Sequence, residues 1–359
     1  MKFTVDTYEF KKALEKAFKV TGVKTIESLE NIKIVKVEHD CHLLASDLEQ
    51  FVDITIDSSS NEDCEFQFSD TKALLKAMKF FTGPQIDFEY EGETVTISCN
   101  GKKAKQRIFD MDFPEFPQIM EKPNNDFGYS NKKLKERSAA IKYAVSTDKD
   151  RPIFTGVCFK NNDMVAVDGH RLAVNRDCNL NISKSFIIPF NALKNMGEIM
   201  DNEIRIATTD KYIQVKDKQT TFTARLLAGE FFKYEDSIVK SQNRSIDIDI
   251  ENFTKGLKYL KIFFDAKSEK RVHWHNNKIG VETASGYFES EVNVEGQMDV
   301  EMAFNADYML DGLGQFKNKV SIHIGNNTSP MLLTSEDDAD NIALVLPMRN
   351  DRPVFNKVA

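Results

Sequence analysis

Three stretches, TYEFKKALEKAFKV (7–20), NKKLKERSAAIKYAVS (131–146) and IENFTKGLKYLKIFFD (250–265), place large apolar residues on one face and lysines on another. Apolar residues recurring at three- and four-residue steps predict an amphipathic helix in each. These segments start 124 and 119 residues apart. A second trio, DTKALLKAMKFFTG (70–83), PFNALKNMGEIM (189–200) and ADYMLDGLGQFK (306–317), starts 119 and 117 residues apart. Two independent sets of helices that keep one period indicate a repeat, and a repeat constrains the architecture before any single motif does.

Strand patterns fill the space between. The runs CEFQFS, KSFIIP and VEMAFN precede the second helices, and FEYEGETVTIS, IRIATTDKYIQVK and VSIHIGNNTSPMLL follow them with hairpin alternation around Gly, Asp or Asn. Alternating strands also follow the first helices, as in NIKIVKVEHDCHLLAS, IFTGVCFKNNDMVAVD and RVHWHNNKIGVETAS. Turn formers gather in FPEFPQIMEKPNND (113–126) and SQNRS (241–245). The chain is therefore expected to be α+β, in three tandem units over residues 1–123, 124–243 and 244–359.

Charge is segregated. The six helical segments sum to +8 while the whole chain carries −8, which leaves −16 on everything else. Lys12, Lys16 and Lys19 share a helix face at i, i+4, i+7, and Lys72, Lys76 and Lys79 repeat the spacing. Lys135, Arg137 and Lys142 fall in the third segment, and Lys255, Lys258 and Lys261 fan across the fifth. Solvated faces use acids as readily as lysines, and these helices under-use acids. Basic faces without interleaved aromatics suit contact with a phosphate backbone and no reading of bases. Zinc-finger, basic-zipper and recognition-helix motifs are not seen, which excludes those routes to sequence-specific binding.

Five scattered cysteines (Cys41, Cys64, Cys99, Cys158, Cys178) read as reduced thiols. The charged N-terminus and the lack of a long apolar run predict a soluble, cytoplasmic protein without a membrane span. Asp168 and His170 stand two apart in VAVDGHRLAV (165–174), so a hydrolase reading has to be weighed. It lacks a nucleophile motif or a third partner. His39-Asp40-Cys41-His42 and His273-Trp274-His275 are at most half metal sites, so neither metal nor cofactor is expected.

With the threefold period, the markers DKDRPIFTGVCF (148–159), AVDGHRLA (166–173), AFNADYML (303–310) and LVLPMR (344–349) make the chain resemble the bacterial DNA polymerase III beta subunit, the sliding clamp, over essentially its whole length. That resemblance implies three clamp domains, each with two helices lining a hole and antiparallel sheets outside, closed head to tail into a ring-shaped homodimer. It implies a processivity factor without catalytic site or cofactor. Such a ring encircles double-stranded DNA, slides without sequence specificity, and tethers the replicative polymerase. Lys24 and, in the second unit, Lys149 match loop positions where the family places basic DNA contacts. A non-ring scaffold of the same fold is the alternative.

The resemblance also assigns the Asp-Gly-His-Arg turn to a pocket. The polymerase, the clamp loader and repair proteins would insert a linear motif with Leu and Phe anchors there. By position the pocket takes in Phe154, Val167, Gly169, His170, Arg171 and Leu172. Across the junction it takes in Asn305, Tyr308 and Pro330, then Leu344, Val345, Leu346, Pro347, Met348 and Arg349. Leu172 is expected as wall and Arg171 as a rim donor. The chain departs from the family where Val167 replaces a common Thr, and where FFKYEDS (231–237) alters one side at Phe232 and Asp236. The charged strand KKAKQRIF (102–109) suggests ring closure through ion pairs, and the tail NDRPVFNKVA after Arg349 is expected to border the pocket.

Overall fold

The computed structural model describes the chain except residues 23–25, 61, 110–111, 118–121, 178, 240–243, 266–267, 299–300, 351–353 and 356–359. Lys24 therefore lies outside the described residues. The six expected helices are present: α1 (Thr7–Phe18), α2 (Thr71–Met78), α3 (Asn131–Ile141), α4 (Phe190–Ile199), α6 (Ile250–Lys261) and α7 (Ala306–Leu313). A short helix, α5 (Glu235–Val239), was not expected; it starts within FFKYEDS (231–237) and runs two residues past it.

The helices begin where side-chain caps are available. Asp6 accepts hydrogen bonds from the Tyr8 and Glu9 amides at the start of α1, Asp70 caps α2, Asp249 caps α6 and Asn305 caps α7. Each satisfies main-chain donors that the first turn leaves without partners.

Two compact units divide the residues. One holds residues 1–135 and 191–227, the other 136–190 and 228–359. The first contains a twelve-stranded antiparallel sheet running from Lys2–Asp6 at one edge to Asn125–Ser130 at the other. At its middle, strand Gln50–Asp57 pairs with Thr220–Arg225, Thr220 opposite Ile54. Phe10, Ala13, Leu14 and Ala17 of α1 are buried, with Phe10 edge-on to Phe88, which stacks on Phe3. Strand Lys102–Phe109 pairs fully with Thr94–Cys99 but meets Cys64–Phe68 only at Ile108 and Phe109. Along its Lys102–Arg107 stretch the other edge has no partner strand among the described residues.

The second unit holds a nine-stranded and a four-stranded sheet. The former is continuous through Arg171–Arg176 and Asp338–Val345, with Arg171 opposite Val345 and Leu172 opposite Leu344. Its core includes Phe253, Trp274 and Phe304, all fully buried, and the Trp274 indole donates to the Asn276 carbonyl at 2.8 Å. The middle third of the sequence is shared between the units because one of its strand sets continues into each sheet.

Candidate functional site

The turn at 168–171 is built by Asp168. Its Oδ1 accepts from the His170 amide at 2.9 Å and the Arg171 amide at 3.0 Å. Gly169 has φ +93°, a conformation that side chains resist. A Cβ there would also stand 3.6 Å from the Arg151 guanidinium. The other Asp168 oxygen accepts from Arg171 Nε at 2.8 Å, and Arg171 Nη1 donates to Asp311 of α7. The Arg171 guanidinium lies 4.5 Å from the Tyr308 ring centre and 5.6 Å from that of Tyr143, a cation–π stack. Burial works to lower the Arg171 pKa, but its hydrogen bonds and charge pairing with Asp168 and Asp311 leave it raised.

This geometry bears on two of the sequence readings. Arg171, expected as a rim donor, is mostly buried, with Nε committed to Asp168 and Nη1 to Asp311. Asp168 and the His170 ring are engaged separately. Asp168 receives the His170 main-chain amide, while the His170 ring stacks on Tyr308 at 5.6 Å.

The C-terminal segment joins the turn. The Leu346 amide donates to the His170 carbonyl at 2.8 Å, and the Met348 amide to the Ala303 carbonyl at 2.7 Å. Val167, Leu172, Leu344 and Val345 are buried strand residues. Apolar surface reaches solvent at Leu346, 38% exposed, with Pro347 and Met348 half-buried and Arg349 exposed. Asn305 is committed to the α7 cap and to the Glu269 carbonyl. Pro330 is half-buried in the loop before strand Met331–Ser335, and Phe154 packs edge-on to Phe231 at 6.2 Å. Residue Phe232 is exposed, while Tyr234 is buried and donates to Asp163 at 2.7 Å.

Tyr143, Asp311 and Ala303 were missed by sequence reasoning. Asp311 had a legible signal, standing three residues after Tyr308 on one helix face. Tyr143 lies after the end of α3, where helical spacing no longer reports a face.

The lysine rows diverge. Lys72, Lys76 and Lys79 are exposed and make no ion pair among the described residues, as do Lys142, Lys149 and Lys258. Lys12 and Lys16 meet Asp201 at 3.4 and 3.1 Å, and Lys19 pairs with Glu198. Burial pushes the Asp201 carboxyl up, but Lys16 and Lys12 together hold it below the usual range; Lys19 holds Glu198 low. Lys255 pairs with Glu251, and Lys261 with Asp307. Lys135 is exposed, and its stem lies where a Cβ on Gly197 would come within 2.9 Å. Arg137 differs from these lysines. It is turned inward to Asp177 at 3.3 Å and Asp340 at 3.5 Å, with only 18% of its side chain exposed.

Two described residues of the tail are held at one side chain. Val354 and Phe355 donate their amides to the Glu301 carboxylate. Among the described residues no group of three or more His, Cys, Asp or Glu is placed to hold a metal, and no helix is long and apolar enough to cross a membrane. Cys41, Cys64, Cys99 and Cys158 are free thiols, and Cys178 lies outside the described residues.

Models of the DNA polymerase III beta subunit match in three parts: the N-terminal domain at residues 1–120, the central domain at 129–233 and the C-terminal domain at 238–349. The beta sliding clamp of Staphylococcus epidermidis is 28% identical, covering 97% of this chain and 99% of its own. That of Staphylococcus aureus is 27% identical with the same coverage. Among solved structures, the DNA polymerase sliding clamp of Bacillus subtilis matches with a TM-score of 0.86 at 21% identity, covering 97% of this chain and 99% of that one. The DNA polymerase III subunit beta of Pseudomonas aeruginosa matches at 0.86 and 22% identity, covering 97% and 100%. With all three domain models matched in order along the repeat, the chain belongs to the DNA polymerase III beta-subunit family, the sliding clamps that act as processivity factors in DNA replication.

Proposed function

We propose that two copies of the chain close head to tail into a ring around duplex DNA, with units 1–123, 124–243 and 244–359 as its repeating arcs. The supporting observation is the open lysine row Lys72, Lys76, Lys79 on a helix, in a chain whose remainder is strongly acidic. Lysines are flexible point charges and trade one phosphate for the next. No base is read, so sliding meets no preferred register. Retention on DNA then comes from topology, and the chain needs neither a catalytic group nor a cofactor, working in the cytoplasm.

Tethering is assigned to the turn at 168–171 and the segment Leu346–Arg349. An extended Leu- and Phe-bearing motif of the polymerase, clamp loader or repair proteins would lay its anchors against Leu346 and Met348. Adaptable Met suits several partners. Leu346→Ala with Met348→Ala should abolish binding of a labelled Leu/Phe peptide while leaving the dimer mass intact in analytical ultracentrifugation. Unchanged peptide affinity would refute the pocket assignment. A monomeric mass for the unsubstituted chain at micromolar concentration would refute the ring.

A further inference from the structure

Leu346–Asn350 has no regular secondary structure, yet three hydrogen bonds fix its course. Leu346 donates to the His170 carbonyl, Met348 to the Ala303 carbonyl, and Asn350 Nδ2 to the Glu301 carbonyl at 3.2 Å. Farther along, the chain is gripped again. The Glu301 carboxylate, 5% exposed, accepts the Val354 amide at 2.7 Å and the Phe355 amide at 3.1 Å, one on each oxygen. His273 Nδ1, in an imidazole equally buried, lies 2.8 Å from the first oxygen. A carboxylate is costly to bury unless donors surround it, and here three do. Burial holds His273 below its ordinary pKa against the pull of Glu301, so a neutral ring donating through Nδ1–H fits the site.

The Phe355 ring completes the grip. Its centre lies 6.3 Å from that of His275 and 6.2 Å, edge-on, from Tyr287. Below it, a Cβ on Gly280 would come within 3.1 Å of Phe355 Cζ and 2.8 Å of the Tyr287 hydroxyl, so glycine leaves the space this aromatic pair fills.

We infer that Glu301 is a positioning residue for peptide docking: by holding the main chain at Val354 and Phe355 it fixes the Leu346–Arg349 wall from beyond the pocket. The inference rests on the pocket reading above. A wall held at both ends is ordered before the peptide arrives, so binding does not bear the cost of ordering it.

The test compares the full chain, a chain ending at Arg349, and Glu301→Gln. The readouts are titration with a short labelled peptide carrying Leu and Phe, and amide exchange at Met348. Both altered chains should bind about tenfold more weakly and exchange the Met348 amide faster. Adding the detached segment NDRPVFNKVA should not restore the shortened chain, because the grip reaches the wall only through an unbroken main chain, and Phe355→Ala in the full chain should weaken binding in the same direction. Unchanged affinity in both altered chains, with binding still lost in the Leu346→Ala, Met348→Ala chain, would overturn the inference and leave the pocket standing. Full affinity in that double variant as well would overturn the pocket and the inference together.

Discussion

Helices α1 and α2 carry lysines at the same i, i+4, i+7 spacing, yet the two rows have different surroundings. Lys12, Lys16 and Lys19 are met by Asp201 and Glu198, while Lys72, Lys76 and Lys79 face solvent unpaired among the described residues. Spacing decides which side chains share a face; it does not decide what the fold brings opposite. A row already neutralised has less charge to offer a phosphate than an open one. The two rows are therefore expected to divide the work, α2 holding DNA and α1 holding the protein together.

The largest expected effect comes from emptying the open row. Lys72→Ala, Lys76→Ala and Lys79→Ala together should flatten the salt dependence of binding to a short duplex by about 2.7 in log K against log salt, if each lysine meets one phosphate. Fluorescence anisotropy across a salt series reads this directly. The equivalent triple change at Lys12, Lys16 and Lys19 should flatten the slope by less than about 1. It should also lower the melting temperature, because Asp201 and Glu198 lose their partners. Equal slopes for the two triple variants would erase the distinction between the rows.

A third change sharpens it from the other side. Asp201→Asn with Glu198→Gln frees the α1 lysines and should steepen the salt slope. Its stability cost is small, since these carboxylates are 44% and 39% exposed and such surface pairs contribute about 0.2–1 kcal/mol each.

The smallest effect is the pH dependence of the same pairs. Both carboxyls titrate lower in the folded chain than in the unfolded one. Their contribution is full above the ordinary carboxylate values of about 4 and is lost as pH falls through the lowered folded values. Thermal melts between pH 6 and 3 should show the unsubstituted chain losing more stability than the Asp201→Asn, Glu198→Gln chain.

Local sequence carried the architecture. The apolar stripe of Phe10, Leu14 and Phe18 and the hairpin alternation are short-range signals, and they produced the elements they predict, with Phe10 and Leu14 buried and Phe18 half-buried. The pocket was legible only as chain positions. Gly169 could be read as a turn residue, but the capture of Arg171 by Asp311 spans 140 residues, and that of Lys16 by Asp201 spans 185. Arg137 shows the same limit. It reads as one more cation on a basic helix, and only the tertiary fold turns it to Asp177 and Asp340. The course of the tail was illegible for a related reason, since Val354 and its acceptor Glu301 stand 53 residues apart.

The most direct measurement of the ring is retention on DNA of fixed sequence in two topologies. Protein loaded onto a nicked circle should stay bound through gel filtration at a salt concentration that removes simple electrostatic binders, and should be lost once the same circle is cut once. Equal loss from circle and line, or equal retention on both, would contradict a closed ring that slides.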